Sequence, residues 1–161
     1  MGMKQTLGVL NRMEAEGIIG RYAISGAFAA YYYVEPTVTE DLDVLVSFAE
    51  HSSPGEPEII IEGWPVQFLP VANDLDAEAL ARAEEIEIPI SEAEGTVKTR
   101  ILRPEHIVAI SLGVGRPKDF LRIAQFLEEE AVDRKLLSDV LGRHGLTGAW
   151  RSFCRRAGID P

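Results

Sequence analysis

Two short stretches decide how the front of this chain folds: Ile24-Ser25-Gly26-Ala27-Phe28-Ala29 and Thr39-Glu40-Asp41-Leu42-Asp43-Val44. Residues 21–24 predict a strand, Ser25-Gly26 predicts a turn, and the segment 27–33, rich in alanine and aromatics, predicts a buried helix. The apolar run over 42–48 predicts a second strand. A strand, a glycine turn, a helix and another strand indicate a fold that mixes helices with a sheet.

The segments on either side extend this pattern. An amphipathic helix is predicted over 3–16, a polar loop over 49–57, and a hairpin of strands 58–62 and 66–69 around Gly63-Trp64-Pro65. A helix over 74–83 and strands over 86–88 and 97–102 follow, and then helices over roughly 104–112, 117–129, 133–142 and 147–157. The sequence thus predicts an α+β fold, a mixed sheet flanked by helices over 1–103 with a C-terminal helical subdomain over 104–161, packed on it as a single compact unit.

Composition is that of one ordinary globular domain. The chain has 161 residues, 46% hydrophobic and 26% charged, which excludes a disordered, collagen-like or coiled-coil chain. Its net charge is −10, unevenly spread: residues 1–97 hold 4 Lys or Arg against 18 Asp or Glu, and residues 98–161 hold 12 against 8. A chain this acidic is a poor non-specific binder of duplex nucleic acid.

The remaining global signals predict a cytoplasmic protein with no membrane segment. Cys154 is the single cysteine, so no internal disulfide can form, and neither a signal peptide nor an apolar run of about 20 residues is visible. The three histidines have no zinc-site spacing, and His106 is expected to be a surface or cap residue.

Asp41 and Asp43 form the first candidate site. Residues i and i+2 of a strand point to the same side, and two carboxylates on one side repel each other unless a cation lies between them. Mg²⁺ suits such oxygen ligands and often bridges to substrate phosphates. The alternative, which is the commoner one for a bare Asp-x-Asp, is a turn cap and a solvated strand end.

The Ser25-Gly26 turn changes those odds. A small turn that opens a helix leaves free backbone N–H groups and the positive end of a helix dipole, so it can bind an anion, and the Ser25 hydroxyl can donate to a phosphate. Taken alone the turn is weak evidence, because many strand-to-helix turns carry glycine for backbone reasons.

Together the two motifs resemble those of the minimal nucleotidyltransferase superfamily, which has a Gly-Gly or Gly-Ser turn, a helix and then an Asp-x-Asp strand. The stretches Leu102-Arg103-Pro104-Glu105-His106-Ile107 and Gly115-Arg116-Pro117-Lys118-Asp119 are similar to a small bacterial branch related to the nucleotidyltransferase-type toxins of abortive-infection systems. The resemblance implies a nucleotidyltransferase-like fold in which Asp41 and Asp43 hold Mg²⁺ and Ser25 and Gly26 hold the triphosphate of an NTP.

The sequence departs from this pattern at the third carboxylate. Active members usually carry an acid where this chain has Gln67, and an amide can offer one oxygen to a metal but cannot act as a general base. The chain also differs at three positions where family members often carry Arg, Lys and Asp. It has Thr37, Ser111 and Arg122 there, respectively. They point to an altered site.

Two hypotheses therefore stand. One is a Mg²⁺-dependent nucleotidyltransferase acting on an unknown acceptor: a protein, a tRNA or a small molecule. The other is a catalytically inactive nucleotide-binding or partner-binding module of the same fold, such as a toxin–antitoxin component with a partner protein or as a homodimer. Arg116 and Lys118 are candidate phosphate contacts under the first, although helix capping is the favoured role of this segment.

Overall fold

The computed structural model describes residues 2–36, 39, 41–47, 58–91, 93 and 95–161. The predicted loop over 49–57, together with Thr37 and Glu40, lies outside these residues. The described chain divides into two compact units, Met1–Ala29 with Thr37–Leu102, and Ala30–Pro36 with Arg103–Pro161. The second unit therefore includes a short segment from the front of the chain.

The first unit is a six-stranded mixed sheet with helices. Its elements are α1 (Met3–Ala15), β1 (Tyr22–Ile24), α2 (Gly26–Ala30), β2 (Leu42–Val46), β3 (Glu58–Ile61), β4 (Trp64–Pro70), α3 (Asp74–Ala81), β5 (Glu84–Ser91) and β6 (Gly95–Ile101). The strand order is β3-β4-β2-β1-β6-β5. The pairs β1–β6 and β2–β4 are parallel, and the pairs β1–β2, β3–β4 and β5–β6 are antiparallel.

The second unit contains four helices: α4 (Pro104–Val114), α5 (Pro117–Glu128), α6 (Arg134–Arg143) and α7 (Thr147–Ala157). Proline begins both α4 and α5, where its missing N–H costs nothing. The predicted α+β class, with a mixed sheet flanked by helices and helices at the C-terminal end, is confirmed. None of the described helices combines the length and the apolar content needed to cross a bilayer.

Apolar side chains at strand and helix periods build the core of the first unit. Leu7 and Leu10 of α1, and Leu42 and Val44 of β2, are fully buried. Polar contacts fix α1 on the sheet: the Tyr22 hydroxyl donates to Oδ1 of Asn11 at 2.7 Å, and the Arg100 guanidinium makes two 3.1 Å bonds to Glu14. Burial is the main cause that raises the pKa of Tyr22.

Several sequence predictions about these elements were wrong in detail. The helix predicted over 27–33 is the five-residue α2, because the chain after Ala30 leaves the helix for a turn. The β3–β4 hairpin turns at Glu62 and Gly63, both with positive φ, the geometry of two-residue hairpin loops that follow strand twist. Trp64 and Pro65 are consequently strand residues.

His106 corrects another expectation, since its side chain is buried and only 2% exposed. It follows Glu105, which is also buried, in the first turn of α4. Oε1 of Glu105 accepts a hydrogen bond from the backbone N of Asp133 at 2.9 Å, next to the start of α6. The start of α4 is therefore part of the interior of the helical unit.

Candidate functional site

Strand pairing brings the Ser25-Gly26 turn next to Asp43. β1 and β2 run antiparallel with Ile24 opposite Val44, and the backbone N of Ser25 donates to the carbonyl O of Asp43 at 2.9 Å. The end of β1 and the start of β2 thus lie at the same edge of the sheet. This edge is the candidate site.

Only glycine fits at position 26, because the Asp43 carboxylate lies directly against it. Its φ is +60°, in the left-handed region that favours glycine. A Cβ built on Gly26 would overlap Oδ2 of Asp43 and lie 2.8 Å from its Cγ. The Asp43 carboxylate therefore lies directly against the turn, in a space that any other residue at position 26 would occupy.

Gln67 lies beside Asp43, on the neighbouring strand of the sheet. β2 and β4 pair in parallel, with Asp43 beside Gln67 in the register. Neighbours in register project to the same face, so the carboxylate and the amide occupy adjacent positions of that face. Both side chains are half-buried, whereas Leu42 and Val44, which alternate with Asp43, are fully buried.

Asp41 precedes β2 and is held by its own loop. The hydroxyl of Thr39 donates to Oδ1 and to the carbonyl O of Asp41, both at 3.2 Å. Thr39 was not among the site residues that the sequence predicted. A threonine two residues before an acid is the signal that could have revealed this contact, because hydroxyls commonly bond to groups two residues away.

The shortness of α2 weakens one argument for an anion site at the turn. A helix of five residues aligns few peptide dipoles, so the dipole argument made for a helix over 27–33 does not apply. What remains is local: the Ser25 side chain, which is buried with 7% exposure, and the backbone of the turn.

Oxygen donors at this edge fit Mg²⁺ by their chemistry. Two carboxylates, Asp41 and Asp43, and the amide oxygen of Gln67 are hard ligands of the type that Mg²⁺ prefers. No group of three or more His, Cys, Asp or Glu suited to a metal occurs among the described residues. The candidate site offers two acids and an amide, and Mg²⁺ usually keeps several waters and binds through one or two carboxylates.

Arg116 and Lys118 belong to the helical unit, whereas the other candidate residues belong to the first unit. Arg116 binds Asp119: its Nε lies 2.7 Å from Oδ2, and its backbone N donates to the same oxygen at 3.1 Å. Arg122 is 3.8 Å from Oδ1 of Asp119. This segment therefore caps α5, and Lys118 is exposed in its first turn.

The pKa of Asp119 reflects those contacts. Burial, the largest single influence, would raise this pKa, because the carboxyl is 1% exposed. Hydrogen bonds from the Arg116 side chain and backbone, together with the charges of Arg116 and Arg122, outweigh burial and lower the pKa below its usual value.

Known proteins include a solved structure that is similar to this one. No family model matches the chain. No curated protein matches it. The structure is similar to that of an antigenic nucleotidyltransferase-like protein from Paracoccidioides brasiliensis, with 16% sequence identity and a TM-score of 0.46, over 92% of this chain and 91% of the other.

Proposed function

We propose that this protein is a nucleotidyltransferase that binds an NTP and Mg²⁺ at the edge formed by Ser25, Gly26, Asp41 and Asp43. The observation that carries the proposal is the close approach of the Asp43 carboxylate to the Gly26 turn. A metal-binding acid and a candidate phosphate-binding turn are then in contact, as a nucleoside triphosphate with its metal requires. Sequence resemblance to the minimal nucleotidyltransferase superfamily supports the same assignment.

Each residue has a distinct role in this proposal. Asp41 and Asp43 hold the metal, Thr39 orients Asp41, and the Ser25 hydroxyl and the Gly26 backbone bind the triphosphate. The bound metal would neutralise charge on the phosphates during transfer. In the reaction an acceptor nucleophile forms a bond to the α-phosphorus, the bond from that phosphorus to the bridging oxygen breaks, and pyrophosphate leaves.

Gln67 favours a second candidate, a module that binds nucleotide without transferring it. The amide lies beside Asp43, and it cannot take the proton that the acceptor loses. Binding would survive this difference, because an amide oxygen still ligates Mg²⁺. A toxin–antitoxin role and a partner protein remain predictions of the family resemblance.

Labelling with NTPs radioactive at the α-phosphate tests the first candidate. Wild-type protein, Mg²⁺ and each labelled NTP are incubated with a protein pool, a tRNA pool and small-molecule acceptors. Asp41→Asn with Asp43→Asn should abolish the labelling, because the metal loses both carboxylates.

The chain offers a matched control in a second Asp-Leu-Asp, Asp74-Leu75-Asp76, which begins α3. Asp74→Asn with Asp76→Asn removes the same charge, and asparagine can still accept the hydrogen bond that Asp76 receives from the Ala72 N. Labelling should persist in this variant. Labelling that persists equally in the Asp41 and Asp43 variant would disprove the assigned site.

Calorimetry separates the two candidates. Each NTP is titrated into the wild type with and without Mg²⁺. Binding that depends on Asp41 and Asp43 without any transfer favours the inactive module, and absence of binding by every NTP contradicts both.

A further inference from the structure

The outer face of α7 concentrates positive charge in an acidic protein. Arg151, Arg155 and Arg156 are exposed, as is Ser152, and α7 contains no Asp or Glu. We refer to these four residues as the α7 arginine face. The chain as a whole has 26 acidic residues against 16 Lys or Arg, so a helix with three arginines and no acid is a strong local departure.

The opposite face of α7 anchors it in the helical unit. Trp150, Phe153 and Cys154 are buried, and the Phe153 ring stacks on Trp150 with centroids 5.7 Å apart and on Phe120 at 5.8 Å. Packing of this kind holds the helix in one orientation. The arginines are consequently presented from a rigid support.

Two of the arginines make no ion pair with any described residue. Arg151 and Arg155 are four residues apart, so they are neighbours on the helix surface and their like charges repel each other weakly. Arg156 lies over the Phe120 ring, with Cζ 4.8 Å from the centroid. Its stacked guanidinium keeps N–H groups at its edge that can bind an anion.

Favourable interaction with the helix dipole explains the position of only two of the three arginines. Arg155 and Arg156 lie in the last turn, where cations interact favourably with the helix dipole. Arg151 lies a turn earlier, beyond the range of that effect. A bound anion would compensate all three charges at once.

We propose that the α7 arginine face binds the sugar-phosphate backbone of single-stranded RNA. Guanidinium groups bind phosphate through paired hydrogen bonds, and Arg151 and Arg155 offer two such groups side by side. Ser152 lies on the same face, and its hydroxyl can bond to a ribose 2′-hydroxyl, the group that distinguishes RNA from DNA.

Net charge decides between a single strand and a duplex. A duplex carries about one charge per 1.7 Å of its axis and is stiff, so it would bring many phosphates near a chain of net charge −10. A flexible single strand can contact one helix face alone. The proposal goes beyond nucleotidyl transfer, because this contact needs neither NTP nor Mg²⁺.

Fluorescence anisotropy with a labelled single-stranded RNA oligonucleotide of mixed sequence tests the proposal, in the absence of NTP and Mg²⁺. Three phosphate contacts predict a slope of log K against log salt of about −2, so affinity should fall about 18-fold between 50 and 200 mM NaCl. Arg151→Ala with Arg155→Ala should weaken binding at least about tenfold at 50 mM and reduce the slope to about −0.7.

Two further variants make the result specific. Arg82→Ala with Lys98→Ala removes the same charge from exposed positions of the first unit and should change RNA affinity less than about twofold. Arg151→Lys with Arg155→Lys keeps the charge but loses the paired guanidinium hydrogen bonds. It should therefore keep a slope of about −2 and bind RNA more weakly than the wild type but more tightly than the alanine variant. Thermal unfolding verifies that each variant is folded.

Four outcomes would overturn the proposal. They are no RNA binding at 50 mM NaCl, an equal loss of affinity in the Arg82 and Lys98 variant, equal affinity for single-stranded DNA of the same sequence, and tighter binding of duplex RNA. None of these readouts involves NTP, so failure here is distinct from failure of the proposed transferase activity.

Discussion

Gly26 and Asp43 depend on each other at the scale of single residues. Glycine at position 26 supplies both a positive φ and the empty volume that the Asp43 carboxylate fills. The glycine is therefore needed for the position of the acid as well as for the turn.

Gly26→Ala should lower the free energy of unfolding more than a positive φ alone would. Gly17→Ala is the matched control, since Gly17 has φ +72° and a Cβ added there would meet nothing within 4 Å. Chemical denaturation should show a loss of about 1 kcal/mol for Gly17→Ala and a further 1–3 kcal/mol for Gly26→Ala, from the overlap with Asp43. Equal losses would mean that Asp43 moves away at no cost.

Gln67 is a neutral side chain beside the Asp43 carboxylate. An acid at position 67 would lower the stability of the folded state unless a metal ion compensated the two charges. Gln67→Glu puts a second carboxylate beside Asp43, and like charges on adjacent strands destabilise by about 0.2–1 kcal/mol. The melting temperature should fall in EDTA and recover in Mg²⁺. Gln67→Met should gain less stability from Mg²⁺, because Asp41 and Asp43 can still hold the metal but no added carboxylate needs neutralising. A Gln67→Glu variant indifferent to Mg²⁺ would argue against a metal at this edge.

Secondary-structure elements explain why a short motif is ambiguous. Asp41-Leu42-Asp43 enters β2, whereas the same three residue types at Asp74-Leu75-Asp76 begin α3, where Asn73 and Asp76 cap the helix. Identical tripeptides thus have different roles, because the hydrogen bonds available to each depend on the element that it begins.

Asp119 stabilises the start of α5, and this contribution depends on pH. Because the folded-state pKa of Asp119 is lowered, its contribution is complete above the unfolded value of 3.8 and is lost as pH falls through the folded-state pKa. Asp119→Asn should cost about 1.5–3 kcal/mol at pH 7, and the loss should shrink at the acid end.

Urea unfolding of Asp119→Asn and wild type between pH 3 and pH 7 measures this effect. Asp133→Asn is the control, because Asp133 caps α6 and asparagine caps a helix as well as aspartate does. A loss for Asp119→Asn that stays constant with pH would contradict the charged contact with Arg116.

At the scale of the whole molecule, the net charge is unevenly divided between the two units. The net charge of −10 comes from the first unit, which has 17 Asp or Glu against 6 Lys or Arg, while the second unit has 9 against 10. A metal ion bound at Asp41 and Asp43 would reverse the local sign at the candidate site. The acidic half is thus compatible with an anionic substrate once the metal is bound.

Added salt should stabilise the protein. Repulsion among the acids of the first unit is screened when the Debye length falls from about 30 Å at 0.01 M to about 10 Å at 0.1 M. The melting temperature should therefore rise between 10 and 100 mM NaCl, as measured by circular dichroism. A fall would show that ion pairs such as Arg100–Glu14 outweigh the repulsion.

The sequence alone determined the element types, since hydrophobic periodicity and the glycine and proline positions are local signals. It also singled out Ser25, Gly26, Asp41, Asp43 and Gln67. Tertiary structure decided what is adjacent: strand pairing places the Asp43 carboxylate against Gly26 and beside Gln67, from separate strands. It also buried His106, which the sequence predicted to be a surface or cap residue. Such contacts depend on the register between strands and the packing of helices, which join residues far apart in the chain and leave no local signal.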